Sequence, residues 1–105
     1  MTSERVEARA FRGTRKRSVY RSHELGHRQL VRIAGAGEQS GLALVAALAA
    51  LPSELGKEAA EQLAGELSEL RLGGTLLDVD DDVTQLAELA RFCSRARGGA
   101  WLTVT

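Results

Sequence analysis

Residues 23–27 read HELGH, a short segment whose residue types and spacing could support chemistry directly. On a helix, histidines four positions apart lie on the same face, so His23 and His27 could bind one zinc ion through their imidazoles. Glu24 could then act as the general base that removes a proton from a zinc-bound water molecule. The segment therefore provides two candidate metal ligands, one candidate catalytic residue and zinc as a candidate cofactor.

The HELGH segment resembles the active-site helix of the zincin metalloproteases. This resemblance implies a small zinc-dependent hydrolase in which His23 and His27 are ligands and Glu24 is the base. The alternative interpretation is two surface histidines in a basic segment, because the chain has no third histidine to complete the ligand set. Apart from zinc, no cofactor is expected from the sequence.

Basic residues are concentrated in the first third of the chain, although the formal net charge is zero. Residues 1–32 hold nine of the fourteen lysines and arginines and three acidic residues, whereas residues 33–90 hold eleven acidic and two basic residues. Such a segment could contact nucleic-acid phosphates or an acidic partner, or it could be a solvated strand edge that discourages aggregation. The candidate contact residues are Arg9, Arg12, Arg15, Lys16, Arg17 and Arg21.

Two segments have the pattern of a strand that leads into a helix. Residues 29–34 (QLVRIA) predict a strand, after which Gly35 and Gly37 lead into an apolar helix over residues 42–51. This arrangement could be a phosphate-binding turn or an ordinary glycine-rich turn. Residues 75–79 (TLLDV) predict a second strand, and the three aspartates that follow could cap the next helix or bind Mg²⁺.

The last third of the chain predicts a strand–helix–strand unit. Apolar residues recur at helical spacing from Val83, the glycines at 98 and 99 provide a stop, and residues 100–105 (AWLTVT) predict a strand. A unit this short implies two parallel strands joined by a right-handed crossover. Residues 54–72 predict an acidic amphipathic helix between the two strand-containing segments.

Together these patterns predict one small α/β domain at residues 29–105, preceded by a basic N-terminal arm at residues 1–28. The domain would have a three- to four-stranded, mostly parallel sheet with three helices. Its strands would be residues 29–34, 75–79 and 100–105. The arm could contribute an edge strand near residues 5–12 or a hairpin, because apolar and charged residues alternate there.

The two strand–helix segments, residues 29–51 and 75–105, resemble STAS domains, the fold of bacterial anti-anti-sigma factors. The resemblance implies a non-enzymatic regulatory module that binds another protein and switches partners on phosphorylation. Thr84 is the candidate phosphoswitch residue, because it lies near the start of the second matched helix. The sequence thus leaves three functions open: protein binding, including binding of a second copy of the chain, zinc-dependent hydrolysis, and nucleic-acid binding by the arm.

Composition limits where such a protein would function. A single cysteine excludes an internal disulfide and favours a reducing compartment. The longest apolar run, residues 42–51, is about half as long as a membrane span requires. The sequence therefore predicts a cytoplasmic protein without a membrane partner.

Overall fold

The computed structural model describes residues 5–12, 18–50, 53–74, 76–96 and 100–105. Within these residues the chain forms two strands, two helices, a strand, a helix, a short 3₁₀ turn, a helix and a final strand. The elements are β1 (Arg5–Arg12), β2 (Ser18–Gly26), α1 (His27–Gln39), α2 (Ala43–Ala47), β3 (Ser53–Leu55), α3 (Lys57–Leu72), the 3₁₀ turn (Leu77–Val79), α4 (Asp80–Arg95) and β4 (Ala100–Val104).

The four described strands form one sheet in the order β2-β1-β4-β3, and every neighbouring pair is antiparallel. The prediction of a mostly parallel sheet is therefore wrong, as is the prediction of three helices, since four are described. The cause is local: Leu77–Val79 is a 3₁₀ turn and not part of a strand. Without a strand there, α4 does not connect two parallel strands, and β4 is free to pair with β1 in the opposite direction.

The predicted strands at the two ends of the chain are present. Residues 5–12 form β1, which is not an edge strand because β2 and β4 flank it, and residues 100–104 form β4. Along β1 the side chains of Val6, Ala8 and Ala10 are buried, whereas the residues between them are exposed or half-buried. The alternation places one face of the sheet on the helices, and the small alanines let helix α4 approach it closely.

The predicted strand at residues 29–34 is instead part of helix α1, which is a second correction. Its buried residues have spacings of three, four and seven, and Val31, which a buried strand would cover, is 46% exposed. This spacing is the signature of an amphipathic helix. A run of six mixed residues is short enough to fit either pattern, and packing against the sheet selects the helix. The buried positions are Leu30, Ile33, Ala34 and Gly37.

The glycines of the predicted phosphate-binding turn also lie within α1 and do not form a turn. The helix ends later, where Gly41 adopts a φ of 73° that favours glycine and the N–H of Leu42 donates to the carbonyl of Gly37 at 2.8 Å. Helix α2 follows at once and spans only five of the ten residues predicted as helix. Glu66 of α3 stabilises the first turn of α2, because the backbone N–H groups of Leu44 and Val45 donate to its Oε1 at 2.9 and 3.1 Å.

Helices α3 and α4 form most of the remaining core, as their amphipathic patterns predict. Each spans sixteen residues and buries a continuous apolar stripe. Among the described residues, no helix is both long and apolar enough to cross a membrane. The buried residues of α4 are Val83, Leu86, Ala87, Leu89, Ala90 and Cys93, and those of α3 are Ala60, Leu63, Ala64, Leu67 and Leu70.

Candidate nucleic-acid interface

Only the last residue of the HELGH segment is helical in this structure. His23 and Glu24 are consecutive residues of strand β2, so their side chains project to opposite faces of the sheet. His27 is the first residue of α1. The spacing of four residues therefore does not place the two imidazoles on one helical face, which is the geometry that the zinc hypothesis requires.

His23 is instead part of the contact between the sheet and α4. It pairs with Ala8 on the helix-covered face of the sheet, and its Nε2 lies 2.8 Å from Oδ1 of Asp82. Since a carboxylate can only accept, Nε2 carries the proton and donates it to Asp82. Within the described part of the chain, no three histidine, cysteine or acidic side chains are placed to hold a metal ion together.

We expect His23→Ala to lower the free energy of unfolding by about 1 kcal/mol, because the substitution removes a partly buried hydrogen bond between β2 and α4. His27→Ala is the matched control: His27 is exposed, and we expect a change within about 0.5 kcal/mol. Urea unfolding with and without a chelator measures the free energy of unfolding of both variants and of the unaltered protein. The zinc hypothesis instead predicts that both variants lose stability equally and that the chelator destabilises the unaltered protein.

The structure divides the predicted basic contact residues between the two faces of the sheet. Arg9 projects from the face that the helices do not cover and pairs with Glu7. Arg12 and Arg21 lie on the other side, next to helix α4. Arg15, Lys16 and Arg17 lie outside the described residues, in the five-residue connection between β1 and β2.

Arg12 and Arg21 line a cleft of about 580 Å³ between the sheet and the second half of α4. Helix α4 adds Arg91 and Arg95, which are four residues apart and so lie on the same face of the helix. Among the described residues, the charged lining thus consists of four arginines and one glutamate, Glu88, a formal excess of three positive charges. We call this region the arginine cleft, defined by Arg12, Arg21, Arg91 and Arg95.

Two of the four arginines are held by partners on the helices. Arg21 forms an ion pair with Glu88 at 3.2 Å and donates to the side chain of Gln85 at 3.1 Å, and Arg91 donates to Ser68 at 2.7 Å. Within the described residues, neither Arg12 nor Arg95 has an acidic partner. The positive charge of the cleft is therefore only partly compensated, which favours an anionic ligand.

An aromatic pair lies beside the arginine cleft. Tyr20 of β2 stacks on Phe92 of α4 with ring centroids 3.8 Å apart and an angle of 2° between the ring planes. Phe92 also lines the cleft, and the guanidinium carbon of Arg12 lies 5.8 Å from the centroid of the Tyr20 ring. Tyr20 nevertheless remains 53% exposed. Cationic and aromatic groups therefore share one surface.

The other candidate residues have structural contacts. Asp80, Asp81 and Asp82 occupy the first turn of α4, but none caps it, because the N-cap position is Val79. Asp80 forms an ion pair with Arg71 at 3.0 Å, as does the preceding Asp78 with Arg32 at 2.8 Å. The aspartates thus compensate neighbouring cations and the positive end of the helix dipole.

Thr84 and Cys93 are less accessible than a reactive group usually is. Thr84 is half-buried one turn into α4. Cys93 is fully buried, and burial raises the pKa of its thiol to about 11, so the nucleophilic thiolate is scarce at neutral pH. Neither lies in the arginine cleft.

Sequence patterns alone did not identify the α4 half of this site. Arg91 and Arg95 are visible in the sequence as the solvent face of an amphipathic helix, and their spacing by four residues is the only signal that they act together. Comparison of the chain with models of protein families, with curated proteins and with solved structures finds no match.

Proposed function

We propose that this chain is a nucleic-acid-binding module whose arginine cleft contacts the phosphate backbone. The observation that carries the proposal is the convergence of Arg12, Arg21, Arg91 and Arg95 on one cleft with a single acidic residue. Two of these residues belong to the basic segment at the start of the chain, and two come from the last helix. The fold brings them together although at least 70 residues (Arg21 to Arg91) separate the two pairs in the sequence.

The chemistry of arginine supports phosphate as the group that is bound. A guanidinium group offers a planar fork of N–H donors that matches a phosphate in two parallel hydrogen bonds and stays charged at every physiological pH. All four cations of the cleft are arginines, and Arg12 and Arg95 are exposed, without an acidic partner in the described part of the chain. These two are available to a ligand without first breaking an ion pair.

The zero net charge of the chain does not oppose this proposal. Association with a polyanion depends on the local potential, which decays within about 8–10 Å at physiological ionic strength. The acidic residues are concentrated between residues 33 and 90, whereas Glu88 is the only acid among the described residues that line the cleft. The local separation of charge, and not the net charge of the whole chain, therefore determines which surface attracts phosphate.

The direct test is the salt dependence of binding to a fluorescently labelled oligonucleotide of about 12 nucleotides, followed by anisotropy. Three or four phosphate contacts predict a slope of log affinity against log salt of about −2 to −3 for a single strand. The affinity should then fall by about 20- to 50-fold between about 50 and 200 mM salt. Binding that does not change with salt, or no binding at the lower concentration, contradicts the proposal.

A polyglutamate peptide of similar charge distinguishes nucleic acid from an acidic protein partner. We expect the oligonucleotide to compete far better than the peptide, because carboxylates on flexible side chains do not present the regular phosphates of a nucleic-acid backbone. Equal competition by the peptide would overturn the proposal in favour of an acidic protein. Partner switching through Thr84 and zinc hydrolysis through His23, Glu24 and His27 stay separate predictions from the sequence.

A further inference from the structure

We infer that the bound nucleic acid is a single strand, one base of which stacks on the ring of Tyr20 while arginines of the cleft hold the neighbouring phosphates. The inference rests on the proposed function and adds to it the class of nucleic acid and the residue that reads its bases. The inference is drawn from the position and the exposure of Tyr20, because contact between arginines and phosphates does not account for an exposed aromatic ring beside the cleft.

The sheet has an irregularity that directs Tyr20 towards helix α4, beside the cleft. In the pairing of β1 with β2, Ala10 pairs with Arg21 and Phe11 pairs with Val19, so Tyr20 is an additional residue with no partner in β1. A bulge of this kind changes the direction of a side chain relative to regular alternation. Here Tyr20 reaches Phe92 of α4, which covers one face of its ring.

The stack on Phe92 holds the Tyr20 ring in a fixed plane but does not bury it. Phe92 stacks on one face of the ring, the guanidinium carbon of Arg12 lies over the ring at 5.8 Å from its centroid, and Tyr20 still remains 53% exposed. A more than half-exposed aromatic ring costs free energy in water and is a suitable platform for another flat, apolar surface. A nucleic-acid base is such a surface, and base–aromatic stacking tolerates every base because each has a π-face.

A single strand can provide that base, whereas an intact duplex cannot. Within a duplex both faces of each base are covered by its neighbours, so stacking on a protein ring requires an unstacked nucleotide. Arg12 lies close enough to Tyr20, with its guanidinium carbon 5.8 Å from the ring centroid, to contact a phosphate adjacent to the stacked base. Base and phosphate would thus be recognised by neighbouring side chains.

The experiment compares two single strands of equal length and charge on the unaltered protein. One carries about 12 thymidines, and the other has the same number of abasic sites and so presents the phosphates without bases. We expect about 5- to 10-fold tighter binding of the base-bearing strand at equal salt, with the same salt slope for both strands. The matching duplex should bind more weakly than the base-bearing strand, and an oligouridine shows whether RNA and DNA are both accepted.

Three substitutions test whether Tyr20 is responsible for the preference for the base-bearing strand. Tyr20→Leu should abolish the preference for bases, so that the variant binds the base-bearing and abasic strands equally, while Tyr20→Phe should retain the preference because the ring remains. Phe11→Leu is the matched control, since Phe11 is an aromatic residue of the neighbouring strand on the opposite face of the sheet. We expect no change in base preference from this variant.

The outcomes separate this inference from the proposed function. Equal binding of the base-bearing and abasic strands, tighter binding of the duplex, or loss of the preference in Phe11→Leu but not Tyr20→Leu overturns base stacking on Tyr20. Each of these results leaves the contact between arginine and phosphate in place. Absence of salt-dependent binding to every strand overturns the proposed function as well. The comparison on the unaltered protein does not depend on whether any variant folds.

Discussion

Gly37→Ala is expected to destabilise the protein by about 2 kcal/mol, although alanine is the better helix former and Gly37 lies inside a helix. A Cβ atom at this position would lie 2.5 Å from Cγ1 and 2.7 Å from Cβ of Val45, and 3.1 Å from the backbone nitrogen of Ala46. Val45 is fully buried, and Glu66 holds the backbone of its helix through two hydrogen bonds. The contact can be relieved only if α2 moves away from α1.

Gly35→Ala is the matched control in the same helix. No heavy atom lies within 4 Å of the position that its Cβ would occupy, so the substitution should stabilise the protein by about 0.5–1 kcal/mol through helix propensity alone. Urea unfolding of both variants provides the comparison. If the two substitutions change stability by the same amount, α1 and α2 are not in the close contact described here.

Reversal of two charges in α4 should have the largest effect on nucleic-acid binding. Arg91→Glu combined with Arg95→Glu changes the formal charge of the cleft lining from +3 to −1 and places two carboxylates where phosphates would bind. We expect affinity for a single-stranded oligonucleotide at low salt to fall by about 100-fold. Arg91→Gln combined with Arg95→Gln should lower it by about 10-fold and reduce the magnitude of the salt slope by about 1.4.

The control for net charge uses two cations outside the cleft. Arg28 and Lys57 are exposed and lie in the first turns of α1 and α3, where glutamate is favourable to the helix dipole. Arg28→Glu combined with Lys57→Glu makes the same change in total charge without altering the cleft. An equal loss of affinity in this variant would mean that total charge, and not the arginine cleft, governs binding.

The variant with glutamine at positions 91 and 95 distinguishes loss of the contacts with phosphate from loss of folding. Glutamates at 91 and 95 lie near the C-terminus of α4, where negative charge opposes the helix dipole, and close to Glu88. Glutamine has good helix propensity and adds no charge, so its variant should remain folded by far-ultraviolet circular dichroism. Unchanged affinity in a folded glutamine variant would exclude Arg91 and Arg95 from the interface.

Local patterns were sufficient where a segment is long and strongly periodic. The stripe from Val83 to Cys93 predicts helix α4, whereas the weaker alternation of Val6, Ala8 and Ala10 indicates only that the segment forming β1 could be an edge strand or part of a hairpin. The pattern of α4 repeats over several turns, so only the helical period fits it. Residues 29–34 and 75–79 are too short for that, and both were wrongly predicted as strands; they form a helix and a 3₁₀ turn.

The HELGH segment shows how a motif depends on the element that carries it. Its five letters describe a zinc-binding helix only if the segment is helical, and the pairing of Leu25 and His23 with β1 makes it a strand. His23 then faces α4, where it meets Asp82. A tertiary contact 59 residues away in the chain therefore decides the surroundings of this histidine.

The sequence by itself determined the amphipathic helices α3 and α4, the strand at residues 100–104, and the separation of basic from acidic segments. These follow from periodicity and composition, which depend on neighbours along the chain. Only the tertiary structure decided the antiparallel sheet, the helix over residues 29–34 and the convergence of Arg12 and Arg21 with Arg91 and Arg95. Strand direction and the meeting of distant side chains depend on long-range pairing and packing, which no local pattern encodes.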